Sequence, residues 1–280
     1  MKKHLSTLLL LFISAVGLGL ILYPTISDYI NSLHSSRAIA SYLDQVENMG
    51  TQDKQIFWDN AVAYNKSLLH RPNHYILTEE QKTQYEQLLN VSGNGIMGYI
   101  VVEHLNISLP IYHGTDDAVL QTAVGHLDWT SLPVGGENTH CVLSGHRGLP
   151  SAKLFTDLAQ MQEGDLFMLQ VLDETLTYEV DQILIVEPDE VEDLLIVPGM
   201  DYCTLLTCTP YGVNSHRLMV RGYRVETQDK EVAKVVRITA EAVQIDNKLV
   251  AVLLATPLLL LILLFTMIRD HFRKKRRRKP

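Results

Sequence analysis

The chain contains one set of side chains suited to nucleophilic catalysis, in two short segments. Cys208 lies in "LLTCTPYGVNSHRLMVRGYR", at the end of an apolar run and before a Thr-Pro-Tyr-Gly turn. A thiol at a strand end beside a loop is accessible, and a cysteine nucleophile acts as the thiolate, which nearby positive charge favours. The nearest cations are His216 and Arg217 on the next run. Adjacent residues of a strand face opposite sides, so only one of the two can point at Cys208.

The second segment supplies a candidate acid/base. His146 follows the apolar run in "VLSGHRGLP", between Gly145 and Gly148, and glycines let other groups approach closely. Acyl transfer needs an acid/base and an oxyanion stabiliser besides the nucleophile. Taken singly, Cys208 would more often be a buried structural cysteine, and His146 a turn or core histidine. Together with Arg217 they favour cysteine catalysis.

A zinc site is the alternative interpretation of His140, Cys141 and His146. His140 and Cys141 are adjacent and would point to opposite faces of a strand, and no CxxC or HxxxH spacing accompanies them. We therefore predict no metal and no cofactor. The chain has three cysteines, which allow one disulfide at most, and Cys203, in mid-strand, is predicted to be buried.

The elements that must position these residues are predicted to be mostly β. From Gly95 onward, short β-rich runs alternate with Gly and Pro, which favours a closed barrel or sandwich with short helices. Pro110 lies inside one run, so that strand is predicted to be an edge or to bend. Residues 26–69 are predicted to be helical with a break at "ENMGTQ". The "TEEQ" at Thr78–Gln81 has capping-box form for a short helix through Leu89.

Two uncharged apolar segments flank this middle region. Leu5–Tyr23 and Leu249–Ile268 are 19 and 20 residues long, and each is long enough to span a bilayer. A cleavable signal peptide is the alternative for the first segment. The second is followed by "RDHFRKKRRRKP", with eight basic residues, which is predicted to stay in the cytoplasm. We therefore predict a two-span cell-membrane protein with both termini cytoplasmic and residues 24–248 outside.

Charge separates the same regions. Residues 24–248 hold 14 basic and 31 acidic residues, a net charge of −17, which argues against nucleic-acid binding. The predicted division is a cytoplasmic N-terminus (1–4), a transmembrane helix (5–23), an extracellular helical and lid region (24–93), a catalytic β-barrel (94–226), a juxtamembrane linker (227–248), a second transmembrane helix (249–268) and a basic cytoplasmic tail (269–280).

Four segments, "LPIYHGT", "GHLDWTSLPVGG", "LSGHRGLP" and "LLTCTPYGVNSHRLMVRG", resemble sortases, and specifically class C, the pilin-polymerising type of Gram-positive bacteria. The two-span layout is similar to class C as well. The resemblance implies a sortase-type closed β-barrel in which Cys208 is the nucleophile and His146 the general acid/base. It implies that Arg217 stabilises the oxyanion or positions the substrate, together with the backbone N–H of Thr209.

The reaction that the resemblance implies is transpeptidation. Cys208 would attack the Thr–Gly bond of an LPXTG-like signal on a surface protein or pilin, and the thioester would pass to an amine, usually a pilin lysine. We expect Ser144, Leu206 and Thr207 to line the substrate groove. The alternatives are anchoring of surface proteins to a peptidoglycan precursor, hydrolysis as a thiol protease, and a non-catalytic membrane-anchored adaptor that only binds sorting signals.

One feature departs from the class C pattern. These enzymes commonly carry a lid with an Asp-Pro-aromatic motif, and the corresponding region here reads "LLHRPNHYI". Pro72 is present, but Arg71 stands where the aspartate is expected and Asn73 where the aromatic residue is expected. Tyr75 or His74 is the alternative plug for the groove.

Overall fold

The computed structural model describes residues 2–71 and 75–228, together with the isolated positions 261, 265, 268 and 269. The α-helices are α1 (Lys2–Asn48), α2 (Thr51–Leu68), α3 (Glu79–Gln87) and α4 (Asp117–Leu120). The strands are β1 (Ile96–Val102), β2 (Ile107–His113), β3 (Val124–His126), β4 (Thr139–Ser144), β5 (Leu166–Val171), β6 (Glu174–Val186), β7 (Asp201–Thr209) and β8 (His216–Val225). All of these elements belong to the compact unit Met1–Ala242.

The eight strands close into a barrel in the order β1-β2-β3-β4-β7-β8-β6-β5, which confirms the mostly β closed barrel. The β2–β3 and β4–β7 pairs are parallel, and the other pairs are antiparallel. The two long strands β7 and β8 run side by side, with β4 next to β7. The catalytic candidates lie on or just after these three strands.

Pro110 lies in β2 at a point where the loss of an N–H donor is tolerated. It pairs with Tyr99 of β1 on one side. On the other side the β2–β3 ladder begins at Ile111, one residue later. Proline cannot donate to a ladder, so β2 takes up its second partner only after the proline. The predicted edge is therefore local, within a closed barrel.

A capping box begins one helix, and a buried tyrosine holds another against the barrel. Thr78 and Gln81 make both bonds of a capping box at the start of α3, which confirms the predicted helix. The break in the N-terminal helical region lies between α1 and α2. Tyr42 of α1 is fully buried, and its hydroxyl donates to Met97 O (3.0 Å) and accepts from Leu172 N (2.8 Å). These bonds join α1 to β1 and to the loop after β5.

Leu5–Tyr23 lies within α1, which continues through Pro24 to Asn48. Among the residues that the structure describes, no helix is long and apolar enough to cross a membrane. The segment predicted as a second span, 249–268, falls outside the described residues except at three positions.

The barrel core is apolar and contains two of the three cysteines. Cys141 of β4 and Cys203 of β7 are directly opposite each other in the parallel ladder, both are buried, and all three cysteines are free thiols. The prediction that Cys203 is buried is confirmed. Burial raises the pKa of the Cys203 thiol, because the charged thiolate is poorly solvated there. Cys203 therefore stays protonated and is no rival nucleophile.

Candidate active site

Cys208 and Arg217 lie opposite each other on neighbouring antiparallel strands. Cys208 is the penultimate residue of β7 and Arg217 the second residue of β8, and they are paired in the ladder. Met219 and Leu206, each two residues from one member of the pair, pack in one apolar cluster. Because residues two apart in a strand share a face, the side chains of Cys208 and Arg217 lie on the same face of the sheet.

His146 reaches the same place from the other side of β7. The parallel β4–β7 ladder pairs Thr139 with Asp201 and continues in register to Ser144 and Leu206. The Gly145 N–H then donates to Leu206 O at 3.0 Å. The same register, continued for two steps beyond the Ser144–Leu206 pair, places His146 beside Cys208. Three side chains that are far apart in sequence are therefore brought together at the ends of β4, β7 and β8.

The turn that carries His146 is held by close packing and two backbone contacts. A Cβ on Gly145 would lie 2.7 Å from the ring of Phe155, so only glycine fits there without displacing this fully buried ring. The carbonyl of His146 accepts a hydrogen bond from Phe155 N at 3.1 Å, and Gly148 N donates to Thr156 Oγ1 at 3.1 Å. The position of the His146 backbone is therefore defined by the segment that follows it.

Arg217 and His216 have different surroundings. The Arg217 guanidinium donates from Nη1 to the carbonyl oxygens of His216 (3.2 Å) and Asn214 (3.4 Å), beside the β7–β8 turn. His216 Nε2 lies 3.3 Å from a Glu187 carboxylate oxygen, and its Nδ1 is 2.8 Å from Ser215 Oγ. Since adjacent strand residues alternate, His216 faces away from Cys208, and Arg217 is the cation on the side of the thiol.

An apolar surface extends from Cys208 along the same face. Buried Val142, Leu194 and Met219 form its centre. The partly buried residues around them are Leu127, Trp129, Leu184, Val186, Val191 and Leu206. We call this set the apolar floor. The centre of the apolar floor is itself buried, so only the partly buried residues around it, such as Leu206 next to Cys208, can contact an aliphatic side chain of an extended peptide.

The residues predicted to line the groove do not all lie on this face. Leu206 belongs to the apolar floor, and Ser144 is half-buried at the end of β4. Thr207 is 2% exposed, and its hydroxyl donates to Gly145 O at 2.7 Å. It points into the barrel, because it alternates with Leu206 and Cys208. Its expected place in the groove is therefore corrected: Thr207 supports the strand end from inside.

Thr209 is also buried, at 7% exposure, and it pairs with His216 in the β7–β8 ladder. Its hydroxyl accepts a hydrogen bond from Nη1 of Arg147 at 3.0 Å. The role expected for Thr209 involves its backbone N–H. The side-chain bond to Arg147 was not anticipated, although the Arg directly follows His146 in "GHRG".

The lid candidates are only partly described. Pro72, Asn73 and His74 fall outside the described residues. The guanidinium of Arg71 lies 5.4 Å above the ring of Tyr64 of α2. Tyr75 makes an edge contact with Trp129, with ring centroids 5.1 Å apart. Tyr75 therefore lies over a residue of the apolar floor.

His140 of β4 is a histidine with a structural role. Its ring nitrogens are hydrogen-bonded, Nδ1 to Leu195 O (2.9 Å) and Nε2 to Thr204 Oγ1 (2.8 Å). Burial lowers the pKa of His140 to about 4, so the ring is neutral at physiological pH. His140 holds the segment before β7 against β4.

Two functional features were missed from sequence. The apolar floor collects residues from β4, β6, β7, β8 and their loops, and nothing in the separate runs indicates that these residues meet. The bond of Arg147 to Thr209 is not predictable from the local sequence, because a basic residue in a Gly-rich turn is usually a surface residue. The parallel register of β4 and β7 would have identified it, because that register places residue 147 beside residue 209.

Comparison with known proteins yields one family. Residues 100–225 match the Sortase domain family. A curated relative, sortase D of Bacillus subtilis (strain 168), is 30% identical over 131 residues, which make up 46% of this chain. The matched stretch spans 63% of the length of that relative.

Solved structures agree over a larger part of the chain. Sortase C1 from Streptococcus agalactiae is 49% identical, with a TM-score of 0.67, and the match covers 69% of this chain and 100% of that one. Sortase C from Streptococcus pneumoniae, whose description refers to catalysis and pilin substrate specificity, is 40% identical with a TM-score of 0.60. That match covers 68% of this chain and 97% of the other.

Proposed function

Because this chain belongs to the sortase family of cysteine transpeptidases, we propose that it cleaves an LPXTG-like sorting signal at Cys208 and transfers the acyl group to an amine. The observation that carries the proposal is the meeting of three groups at the ends of neighbouring strands. Cys208 pairs with Arg217 across β7 and β8, and the β4–β7 register brings His146 to the other side of the thiol.

The first half-reaction forms a thioester. The Cys208 thiolate attacks the carbonyl carbon of the Thr–Gly bond, and the oxyanion of the tetrahedral intermediate is stabilised by Arg217 and the Thr209 N–H. Removing one such donor typically costs about 10²–10³ in kcat. His146 then donates a proton to the departing amine, the C–N bond breaks, and the acyl group remains on the sulfur.

The second half-reaction reverses these roles. An incoming amine attacks the thioester carbonyl, His146 accepts its proton, and the C–S bond breaks to release the Cys208 thiolate. The product is a new amide bond, and no net oxidation or reduction occurs. Transfer competes with attack by water, so the apolar floor beside Cys208 favours transfer by keeping that side of the thioester dry.

The apolar floor also supports the choice of substrate. Leu206 and Met219 flank the Cys208–Arg217 pair on the same face, and Val142 continues the surface onto β4. An extended peptide that places its threonine carbonyl at Cys208 would lay its preceding leucine and proline along this surface. Apolar burial of a leucine side chain contributes about 1.5–3 kcal/mol.

For the acceptor, the identity of the neighbours favours a pilin lysine. The chain is 49% and 40% identical to two sortase C proteins, one of them described by its pilin substrate specificity. The protein would then join pilin subunits into a polymer. Anchoring to a peptidoglycan precursor is the alternative outcome, since it uses the same thioester.

The proposed location is the outer face of a Gram-positive cell membrane. Support comes from the sequence: the two uncharged segments Leu5–Tyr23 and Leu249–Ile268, and the eight basic residues after the second. Cleavage of residues 24–248 by protease added to intact protoplasts, with protection of the basic tail, would support this topology. Protection of residues 24–248 in sealed protoplasts would contradict it.

The acceptor assay tests the function. The protein is incubated with an LPXTG-type peptide and either a pilin-derived lysine peptide or an oligoglycine amine, and products are identified by mass. We expect ligation to the lysine peptide by the wild-type protein and none by Cys208→Ala. Ligation to oligoglycine alone would favour cell-wall anchoring, hydrolysis alone a thiol protease, and binding without cleavage the adaptor.

A further inference from the structure

We propose that Arg147 is a positioning residue whose hydrogen bond to Thr209 holds His146 in reach of Cys208. The inference rests on the proposed function, because it assigns a role within the same site. Arg147 is not expected to touch the substrate. It acts by tying the turn after β4, which carries His146, to the end of β7, which carries Cys208.

Near the site, β4 and β7 are joined by one backbone and two side-chain hydrogen bonds. Their backbone contact runs to Gly145 N, which donates to Leu206 O. Beyond that point two side-chain bonds link the two segments. Thr207 Oγ1 donates to Gly145 O at 2.7 Å, and Arg147 Nη1 donates to Thr209 Oγ1 at 3.0 Å.

These two bonds lie on either side of the catalytic pair. His146 is between Gly145 and Arg147, and Cys208 is between Thr207 and Thr209. Both threonines are buried, at 2% and 7% exposure. Hydrogen bonds shielded from water are electrostatically stronger than exposed ones. The register of His146 against Cys208 is therefore set by one bond before the pair and one bond after it.

The surroundings of Arg147 differ from those of an ordinary surface arginine. Among residues 2–71 and 75–228, no carboxylate oxygen forms an ion pair with its guanidinium. Its Nε is buried without a hydrogen-bond partner in that part of the chain. A surface arginine would be solvated or paired, and a half-buried donor left unpaired is costly. A glutamine or leucine would avoid that cost, so the arrangement points to a function for the Arg147–Thr209 bond.

The loop that follows Cys208 contacts the turn that carries His146. A Cβ on Gly148 would lie 3.0 Å from the ring of Tyr211, so this ring packs directly on the turn after His146. Gly148 has φ +78, a conformation that favours glycine. The turn after β4 and the turn after β7 are thus in contact on the side that Arg147 secures. Loss of the Arg147–Thr209 bond would leave ring packing by Tyr211 as the contact between the two turns on this side.

The consequence for catalysis is geometric. His146 must serve both the leaving amine and the incoming amine at the Cys208 thioester, and a displacement of about 1 Å can cost about 100-fold in rate. The turn is held on its other side by the bonds of His146 O and Gly148 N to the 155–156 segment. Without Arg147 no hydrogen bond would join the turn to β7 after His146, and the distance of His146 from Cys208 would vary more.

The experiment measures thioester formation by the full chain in detergent with an LPXTG-type peptide, comparing kcat and KM. Thr209→Val removes the acceptor and keeps the shape, Thr209→Ser keeps the acceptor, and Arg147→Met removes the donor. We expect Thr209→Val and Arg147→Met each to lower kcat about 10–100-fold with KM changed less than about twofold. The double variant should be no slower than the slower single variant, since both remove one bond.

A matched control separates this role from loss of stability. Thr177→Val is the same substitution at another fully buried threonine, on β6 and bonded to Thr227. It should lower the melting temperature as Thr209→Val does and leave kcat unchanged. Thr209→Ser should recover kcat to within about threefold of wild type, which a purely steric effect would not produce.

The outcomes separate the two proposals. No thioester on the wild-type protein would refute the proposed function. A wild-type thioester with unchanged kcat in Thr209→Val and Arg147→Met would overturn the role of Arg147 and leave the function intact. Additive losses in the double variant would also overturn it, because the two residues would then act separately. If Arg147→Met fails to fold, the Thr209→Val and Thr209→Ser pair decides.

Discussion

Asn65 should carry a large share of the contact between α2 and the barrel. It is 2% exposed, and its amide makes two hydrogen bonds to one residue of the loop before β4. Nδ2 donates to Leu132 O at 3.1 Å, and Oδ1 accepts from Leu132 N at 2.7 Å. Leu132 is itself fully buried, so these backbone groups have no access to water.

Asn65→Ala would leave the backbone N–H of Leu132 without its partner, whereas Leu132 O would keep the hydrogen bond from Val134 N at 2.8 Å. The unpaired N–H costs about 1–3 kcal/mol, loss of the bond to the carbonyl costs about 0.5–1.5 kcal/mol, and alanine recovers about 0.6 kcal/mol of helix propensity. We therefore expect the free energy of unfolding to fall by about 1–4 kcal/mol. Asn65→Asp keeps the acceptor for Leu132 N but buries a carboxylate beside Leu132 O, so it should destabilise the protein more than Asn65→Ala does.

Urea unfolding of the purified protein, followed by circular dichroism and by tryptophan fluorescence, measures these losses. Asn60→Ala is the matched control, because Asn60 is exposed on the same helix. It should not destabilise the protein, and it should raise the free energy of unfolding by at most about 0.6 kcal/mol through helix propensity. An Asn65→Ala protein within 0.5 kcal/mol of wild type would refute the reasoning, since it would mean that water or another group satisfies Leu132.

Three further predictions concern the site and its support. Burial lowers the pKa of His140 to about 4, so between pH 6.5 and 4 the unfolded chain binds a proton that the folded chain does not. The contribution of neutral His140 to the free energy of unfolding should be fully present above pH 6.5 and should fall by about 3 kcal/mol as the pH drops to 4. A urea midpoint that does not change over this range would contradict this prediction. Gly145→Ala places a Cβ 2.7 Å from the Phe155 ring. It should lower the free energy of unfolding by about 1–3 kcal/mol and slow thioester formation. An unchanged melting temperature and rate would show that the ring moves freely. Arg217→Ala should lower kcat for thioester formation by about 10²–10³ with little change in melting temperature, because within residues 2–71 and 75–228 the Arg217 side chain bonds to two incompletely buried carbonyl oxygens. A large fall in melting temperature would instead make its role structural.

Local signals in the sequence predicted the local elements well. The capping box at Thr78 and the break between α1 and α2 are decided by a few neighbouring residues, and both were found. The alternation of short strands with Gly and Pro turns indicated a barrel or a sandwich, and the choice of a closed barrel came from the resemblance to sortases. Pro110 was correctly taken to disturb pairing, but closure of the barrel confines the effect to one side of β2.

The features that depend on long-range pairing were less accessible. The face of Thr207 follows from the register of β7 against β4 and β8, and a shift of one residue moves every side chain to the other face. The contact of Asn65 with Leu132 spans 67 positions and joins a helix to a loop. Neither run of sequence contains a signal for the other. Arg147 belongs to the same class, since its role appears only when residue 209 is placed beside it.

The most direct test of the account is the intact mass of the protein after incubation with an LPXTG-type peptide, without an amine acceptor. The account predicts an acyl adduct on wild type, its complete absence in Cys208→Ala, and its retention in a Cys203→Ala control, because Cys203 is buried and protonated. Addition of a lysine peptide should discharge the adduct faster than water does. An adduct that persists in Cys208→Ala would contradict the assignment of the nucleophile.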